Sequence, residues 1–420
     1  MPVDAAGPRH FVASHGELGT WVLLLGALCV RIGFVAIYGV HLGGDSQTYL
    51  SWAEAFANGN PGQITQWTFH ILFPLALAPA YLLGLPAVPY AIGLQVVLST
   101  ATVWFVRATG RLLFGPRLGW AVGIIAAIYP TFLFWMVYVL SDTTFVFCLA
   151  VFLWVFVNKL REKDLRWRLV FVGSSLVLLI ARPTSLAVLF VSSAMVLLLW
   201  FKTALGWRKG LTGWACCVAG FLLLAAALLS WPPIRLRLLN MPVVVQSLWL
   251  STRVTTSDID EYFRMVDPPL PANTPYDQIE TYKVNYAITF ISREPVRYLA
   301  MASRRFTSFW YPWLFARWSL PHRIWDMTLS IALTLGSAAC LFNRSTRRQG
   351  IIALLLVGLS LALLSSFSQV DSDARYRVPA ELTLLIIAPG GLAVLTTSGL
   401  GFVRRLLGGL DPARRRSGSG

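Results

Sequence analysis

The sequence predicts an all-α polytopic membrane protein, a bundle of about ten transmembrane helices. The chain has 420 residues, of which 56% are hydrophobic and only 13% are charged. Uncharged runs of about 20 residues, each long enough to cross a hydrocarbon core, recur along the chain. The charged residues fall in short islands between these runs, which is typical of a multi-pass protein and not of a soluble domain.

The predicted spans follow one another in chain order. The first is too long for a signal-peptide core and lacks a small-residue cleavage site before the next loop, so we expect it to be retained. Residues 67–86 are also uncharged, but prolines break them, and we interpret them as a re-entrant or interfacial hairpin. The expected spans are roughly 19–40, 88–106, 118–137, 143–158, 169–181, 185–201, 211–231, 324–342, 351–368 and 378–400.

Lys- and Arg-rich short loops orient this bundle. The positive-inside rule assigns them to the cytoplasmic face, together with both chain ends. Three parts follow: an N-terminal transmembrane module with its first outer loop, an extracytoplasmic cap, and C-terminal helices with a basic tail. Their bounds are 1–231 with the loop at 41–87, 232–323, and 324–420. Within the cap, a helical run from Asp277 to Phe309 is expected to break at Pro295.

Composition also limits the partners. The chain has 35 Lys and Arg residues against 19 Asp and Glu residues, an excess that cytoplasmic loops explain without nucleic acid. The five cysteines lie inside apolar runs and the histidines lack metal-ligand spacing, so we expect no metal and no cofactor. The Trp-, Arg- and Ala-rich composition favours a bacterial plasma (inner) membrane.

Charged residues within or beside the spans converge on the predicted outer face. Asp45 lies in the first outer loop, and Asp142 and Arg182 lie at the next two outer turns. A last group surrounds the final outer turn: Asp371, Asp373, Arg375, Arg377 and Glu381. Charges at membrane depth are costly and usually face a cavity or one another, so their coincidence predicts one site. Arg31, inside the first span, is expected to pair with an acid or to reach a headgroup.

Several motifs, in order, resemble those of the GT-C superfamily of membrane glycosyltransferases. The resemblance is to the protein mannosyltransferase and aminoarabinose transferase group, which is glycosyltransferase family 39-like. It covers most of the chain and rests on DSQTY, FPLALAPAYLLG, YPTFLFWMVYVLSDTTF, ARPT, FISREPVRYLAMASRRFTSFW and RYRVPAE. The chain departs from the family where Ser46 follows Asp45, since members often have a second acid there.

The resemblance implies a GT-C-like bundle that transfers a sugar from a polyprenyl phosphate to a lipid, glycan or protein acceptor outside, with inversion. Asp45 would be the general base, with the following Tyr49 near the substrate. The residues around Asp45 alone also fit a helix N-cap. Asp142 would support Asp45 or orient the acceptor, and its alternative is likewise a cap.

The expected cations would contact the leaving phosphate. Arg182 interrupts an uncharged run and either snorkels to the interface or binds a phosphate or acid. Arg375, Tyr376 and Arg377 suit bidentate phosphate binding, unless they only balance nearby surface acids. Glu381, one turn further on, is expected to pair with a neighbouring arginine.

Two other functions compete with this interpretation. A lipid-linked glycan ligase or polymerase would share the donor and the outer-face site. A transporter would place charges at mid-membrane on broken helices, often with an internal repeat, and the sequence has no such repeat.

Overall fold

The protein is all-α in the parts that the computed structural model describes: residues 9–43, 45–60, 71–162, 164–205, 212, 278–310, 320–341, 348–368 and 374–408. One isolated bridge, between His41 and Tyr138, accompanies the helices there. The helices are α1 (Arg9–Tyr38), α2 (Ser46–Ala57), α3 (Leu72–Leu82), α4 (Ala87–Phe114), α5 (Pro116–Ile128), α6 (Pro130–Met136), α7 (Asp142–Arg161), α8 (Leu165–Ala181), α9 (Ser185–Leu205), α10 (Ile279–Arg293), α11 (Pro295–Trp310), α12 (Leu320–Cys340), α13 (Arg348–Ser368) and α14 (Ala374–Gly408). The predicted fold class is confirmed at this level.

Five helices in the described ranges are long and apolar enough to cross a membrane: α1, α4, α7, α9 and α14. The 20 residues of α7 make it about 30 Å long, which matches a hydrocarbon core. The helices α8, α12 and α13 coincide with further predicted spans but have shorter apolar stretches or fewer residues. The total of ten spans stays a prediction, and nearly all of the span at 211–231 lies outside the described residues.

The predicted span 118–137 is two helices, α5 and α6, bent by 41°. The break lies at Tyr129, whose backbone is extended (φ −66°, ψ 115°), and Pro130 then begins α6. Proline lacks a backbone N–H and disfavours the helical conformation in the residue before it, which explains the break. Counted as one span, this pair raises the number of candidate spans in the described ranges to six.

Between the first two candidate spans lie two short helices, α2 and α3, which pack against each other. The 11 residues of α3 extend about 16 Å, too short to cross a bilayer, as the hairpin interpretation of 67–86 requires. Burial of the Tyr81 phenol raises the pKa of Tyr81, and the negative charge of the Glu54 carboxylate raises it further. Residues 61–70 lie outside the described part.

The centre of the bundle is formed by α4, α7 and α14. α4 and α8 pack along α7, while α14 contacts α4, α7, α12 and α13. The approach of α12 to α14 depends on small residues: a Cβ on Gly336 would lie 2.7 Å from the carbonyl oxygen of Ala388. Small residues allow helices in a membrane to pack backbone to backbone. This packing brings the start of α14 beside the start of α7.

The predicted break at Pro295 is confirmed. α10 ends at Arg293, and Pro295 occupies the first position of α11, where its missing N–H costs nothing. Glu294 between them forms an exposed ion pair with Arg297 at 2.8 Å. Most of the predicted cap, residues 232–277 and 311–319, lies outside the described residues.

Candidate functional site

A buried ion pair joins Asp142 and Arg182. Asp142 is the first residue of α7, and Arg182 follows the last residue of α8 in an extended conformation (φ −166°, ψ 144°). The Arg182 Nη1 and Asp142 Oδ1 atoms are 2.5 Å apart, and the two side chains are only 5% and 1% exposed. Of the alternatives left open by the sequence, the structure therefore selects an acid partner for Arg182 over an interfacial position.

The loop that carries Asp45 is tied to the segment that leads into Asp142. The His41 N–H donates to the Val137 carbonyl and the Val139 N–H donates to the His41 carbonyl, at 2.9 and 3.1 Å. The buried hydroxyl of Ser46 donates to the Val139 carbonyl and accepts from the Gly43 N–H, both at 2.8 Å. These bonds hold the start of α2 against the start of α7.

Tyr49 and Gln95 reinforce this junction. The Tyr49 hydroxyl lies 3.0 Å from the Ser141 hydroxyl, immediately before Asp142, and Tyr49 is 5% exposed. Gln95 of α4 donates to the carbonyl oxygens of Tyr138 and Leu140, both at 2.9 Å. The Tyr49 hydroxyl thus contacts the residue before Asp142, and Gln95 is a contact residue that the sequence analysis did not single out.

Asp45 itself is exposed at the N-cap position of α2, where its carbonyl oxygen accepts from the Tyr49 N–H at 3.1 Å. The backbone position agrees with the cap interpretation. The side chain, however, makes no capping hydrogen bond to the described helix. The cap role therefore belongs to the backbone of Asp45 and leaves its carboxylate on the surface of the loop.

A narrow cleft opens beside the ion pair. The cleft has about 280 Å³ of empty space when the open space at its mouth is included. Its enclosed part has room for only about one ordered water molecule. Four helices, α4, α6, α7 and α14, contribute to it, and its lining consists of Ser99, Thr102, Phe132, Trp135, Asp142, Thr143, Val146 and Val378. Hydroxyls and one carboxylate thus meet aromatic rings in an otherwise apolar interior.

Arg31 of α1 lies fully buried next to this cleft. Its Nε donates to the Ser99 hydroxyl at 2.7 Å, and its Nη1 donates to the carbonyl oxygens of Ala27 and Ala127 at 3.0 Å. The expectation that Arg31 pairs with an acid is wrong within the described residues, because all three of its acceptors are uncharged. Arg31 therefore links α1, α4 and α5 through neutral oxygens.

The start of α14 reaches the same cleft through Val378. The predicted pairing of Glu381 is confirmed: it forms a buried ion pair with Arg377, one turn earlier in the helix. Arg375 and Tyr376 belong to the first turn of α14, and their side chains lie outside the described part. The structure thus brings Asp142, Arg182 and the Arg377 turn to one end of the bundle.

No three His, Cys, Asp or Glu side chains lie together as a metal site would require, within the ranges given above. Four uncharged polar residues of the site were not singled out by the sequence analysis: Ser99, Thr102, Thr143 and Gln95. Their only sequence signal is a polar residue at one-turn spacing on an apolar helix, as Gln95, Ser99 and Thr102 have along α4.

No protein-family model matches the chain, and no curated protein is significantly similar to it. The fold and the cleft define a helical protein of the multi-pass membrane class with a charged cleft inside its bundle. The resemblance to GT-C glycosyltransferases continues to rest on the sequence motifs alone.

Proposed function

We propose that this protein is a membrane glycosyltransferase, which moves a sugar from a polyprenyl-phosphate donor to an acceptor on the extracytoplasmic face with inversion. One observation supports this most directly. The loop that carries Asp45 is hydrogen-bonded to the segment that leads into the Asp142–Arg182 pair beside the cleft. A proton acceptor and a cation near one opening are the two groups that sugar transfer from a phosphate requires.

Asp45 acts as the general base in this proposal. The acceptor hydroxyl loses its proton as its oxygen attacks the anomeric carbon, and the carboxylate takes that proton. The bond from the anomeric carbon to the phosphate oxygen breaks in the same displacement, which leaves polyprenyl phosphate. A single displacement inverts the anomeric carbon and needs no protein nucleophile. The exposed position of Asp45 leaves its carboxylate accessible to an acceptor.

The buried ion pairs hold cations for the leaving group. Asp142 orients Arg182, and Glu381 orients Arg377, so each guanidinium has a fixed direction before substrate binds. In this proposal Arg182 and residues 375–377 contact the phosphate as negative charge develops on it. Tyr49 fixes the start of α7 relative to the loop of Asp45.

The test is sugar transfer by membranes that contain the wild-type chain or Asp45→Asn. The donors are radiolabelled polyprenyl-phosphate mannose and polyprenyl-phosphate arabinose, and the readout is label in the lipid, glycan or protein fraction. Loss of a general base is expected to lower the rate by about a hundredfold or more. The control is Glu54→Gln, which removes an exposed acid of the same helix and is expected to retain transfer.

Transfer at the wild-type rate by Asp45→Asn would refute the role of the base. Label that accumulates inside sealed vesicles without a new glycosidic bond would indicate a transporter. Label incorporated as a growing repeat-unit polymer would favour the lipid-linked glycan polymerase or ligase.

A further inference from the structure

Arg31 is a buried cation, and one nitrogen of its guanidinium, Nη2, has no hydrogen-bond partner within the described residues. Its guanidinium makes three hydrogen bonds, to the hydroxyl of Ser99 and to the carbonyl oxygens of Ala27 and Ala127. Its Nη2 makes none within the described residues, although Arg31 is fully buried. A buried donor without an acceptor is costly, and such a group commonly indicates a water or an ion that binds there.

The charges around the cleft favour an anion as that partner. Residues that line the cleft or adjoin its lining carry three buried guanidiniums, those of Arg31, Arg182 and Arg377, and two buried carboxylates, those of Asp142 and Glu381. The carboxylates pair with Arg182 and Arg377, so the positive charge of Arg31 is the one that no described carboxylate balances. An uncompensated charge in a membrane interior is expensive unless an ion of opposite sign neutralises it.

Arg31 also determines the hydrogen-bonding role of the Ser99 hydroxyl at the cleft. The Nε–H of an arginine can only donate, so the Ser99 oxygen accepts from it at 2.7 Å. The hydrogen of the Ser99 hydroxyl is then left to donate elsewhere, and Ser99 lines the cleft. The nearby Thr102 hydroxyl donates to the Leu98 carbonyl instead. The Ser99 hydroxyl can therefore donate its hydrogen to a group in the cleft, with the Arg31 cation behind it.

We propose that Ser99, positioned and polarised by Arg31, binds an anionic phosphate oxygen in this cleft. The assignment of that oxygen to the phosphate of a polyprenyl carrier rests on the proposed function. Asp142 lines the cleft as well, but Arg182 neutralises its carboxylate. Because the cleft now has room for about one water, binding requires its aromatic lining of Phe132 and Trp135 to move outward.

The experiment measures lipid binding by the full-length protein in nanodiscs, using native mass spectrometry. The probes are undecaprenyl phosphate, its uncharged alcohol undecaprenol, and inorganic phosphate. The variants are Ser99→Ala, Ser99→Thr, Arg31→Gln and Arg31→Lys. The matched control is Thr100→Val, which removes the neighbouring hydroxyl on α4, bonded to the Val96 carbonyl.

We expect wild-type protein to prefer undecaprenyl phosphate over undecaprenol. Ser99→Ala and Arg31→Gln should each reduce that preference roughly tenfold or more, since each removes part of a charge-assisted hydrogen bond. Ser99→Thr should restore it, and Arg31→Lys should restore part of it by keeping the charge. Thr100→Val should leave it unchanged. A residue with only a structural role should change the affinities for undecaprenyl phosphate and undecaprenol together, so the ratio of the two affinities is the readout.

Equal preference in the wild type and Ser99→Ala would overturn the proposal, as would equal binding of the alcohol. Inorganic phosphate that binds as tightly as the carrier would overturn its assignment to the carrier. Binding needs no sugar, so this result is separate from the transfer assay. Phosphate preference without any transfer would refute the proposed function alone, whereas transfer with an unchanged preference in Ser99→Ala would refute this proposal alone.

Discussion

The buried Asp142–Arg182 pair offers the most direct test of how this bundle is held together. Removal of either partner leaves the other as an uncompensated charge in a site where both side chains are at most 5% exposed. We therefore compare Asp142→Leu, Arg182→Met and the double variant. The double variant replaces both charges with apolar side chains of similar length and leaves neither ion unpaired.

The expected magnitudes follow from the burial of the pair. Each single substitution should lower the free energy of unfolding by about 3–5 kcal/mol, since breaking a buried ion pair leaves a desolvated charge. The double variant should lose less than either single variant, because a buried pair replaced by well-packed apolar groups is often neutral. The control is the exposed pair of Glu294 and Arg297, for which truncation of either partner should cost at most about 1 kcal/mol.

Unfolding of the purified protein by sodium dodecyl sulfate in mixed micelles, followed by tryptophan fluorescence, measures these differences, and the chain has 17 Trp residues as reporters. A loss of stability in the double variant equal to the sum of the two single losses would refute the reasoning. The stability effects of two independent residues add, whereas those of two interacting residues do not. Single losses below 1 kcal/mol would also refute it, since they would mean that the pair is solvated.

Two further predictions concern helix packing and orientation. Gly336→Ala should destabilise the protein by about 1–3 kcal/mol in the same assay, because the added methyl group meets the Ala388 backbone, whereas Gly173→Ala should have little effect since its surroundings are open. In a cysteine-free background, Thr48→Cys at the start of α2 should react with an impermeant thiol reagent in intact cells, and Glu162→Cys at the end of α7 should react only after permeabilisation.

Each of these has a clear contrary result. Equal stability of the two glycine variants would mean that α12 and α14 do not meet as closely as the Gly336 geometry indicates. Labelling of both cysteines in intact cells would rule out α7 as a span, because the start of α2 is hydrogen-bonded beside the start of α7 and would then lie on the same side as the end of α7.

Several helix ends could be predicted because a charge or a proline interrupts an apolar run there. Arg182 separates α8 from α9, Asp142 begins α7, and Pro295 separates α10 from α11, all as expected from the sequence. Lone charges and prolines are expensive inside an apolar helix, so they concentrate at helix ends and make those ends visible. The bend at Pro130 was missed because the hydrophobic run continues across it without a change of composition.

The contacts of the site were less predictable, and the reason is chemical. The pairing of Glu381 with Arg377 could be inferred because two opposite charges one helical turn apart share a face. Arg31, in contrast, donates to a serine and a carbonyl oxygen on two other helices and to one carbonyl oxygen of its own helix. Every residue has a carbonyl, and serines are common in membrane helices, so no sequence pattern distinguishes these acceptors.

The two acids of the proposed reaction have different surroundings, and this divides their roles. Asp142 is buried and ion-paired with Arg182, so a proton accepted there would break the pair and leave a buried cation. Asp45 is exposed, so an acceptor hydroxyl can approach its carboxylate. The same displacement can therefore use Asp45 to take a proton while Asp142 keeps Arg182 charged and oriented toward the leaving phosphate. On this reasoning Asp142→Asn should impair transfer through the loss of Arg182 geometry, and a small exogenous carboxylate such as formate should rescue Asp45→Ala but not Asp142→Ala.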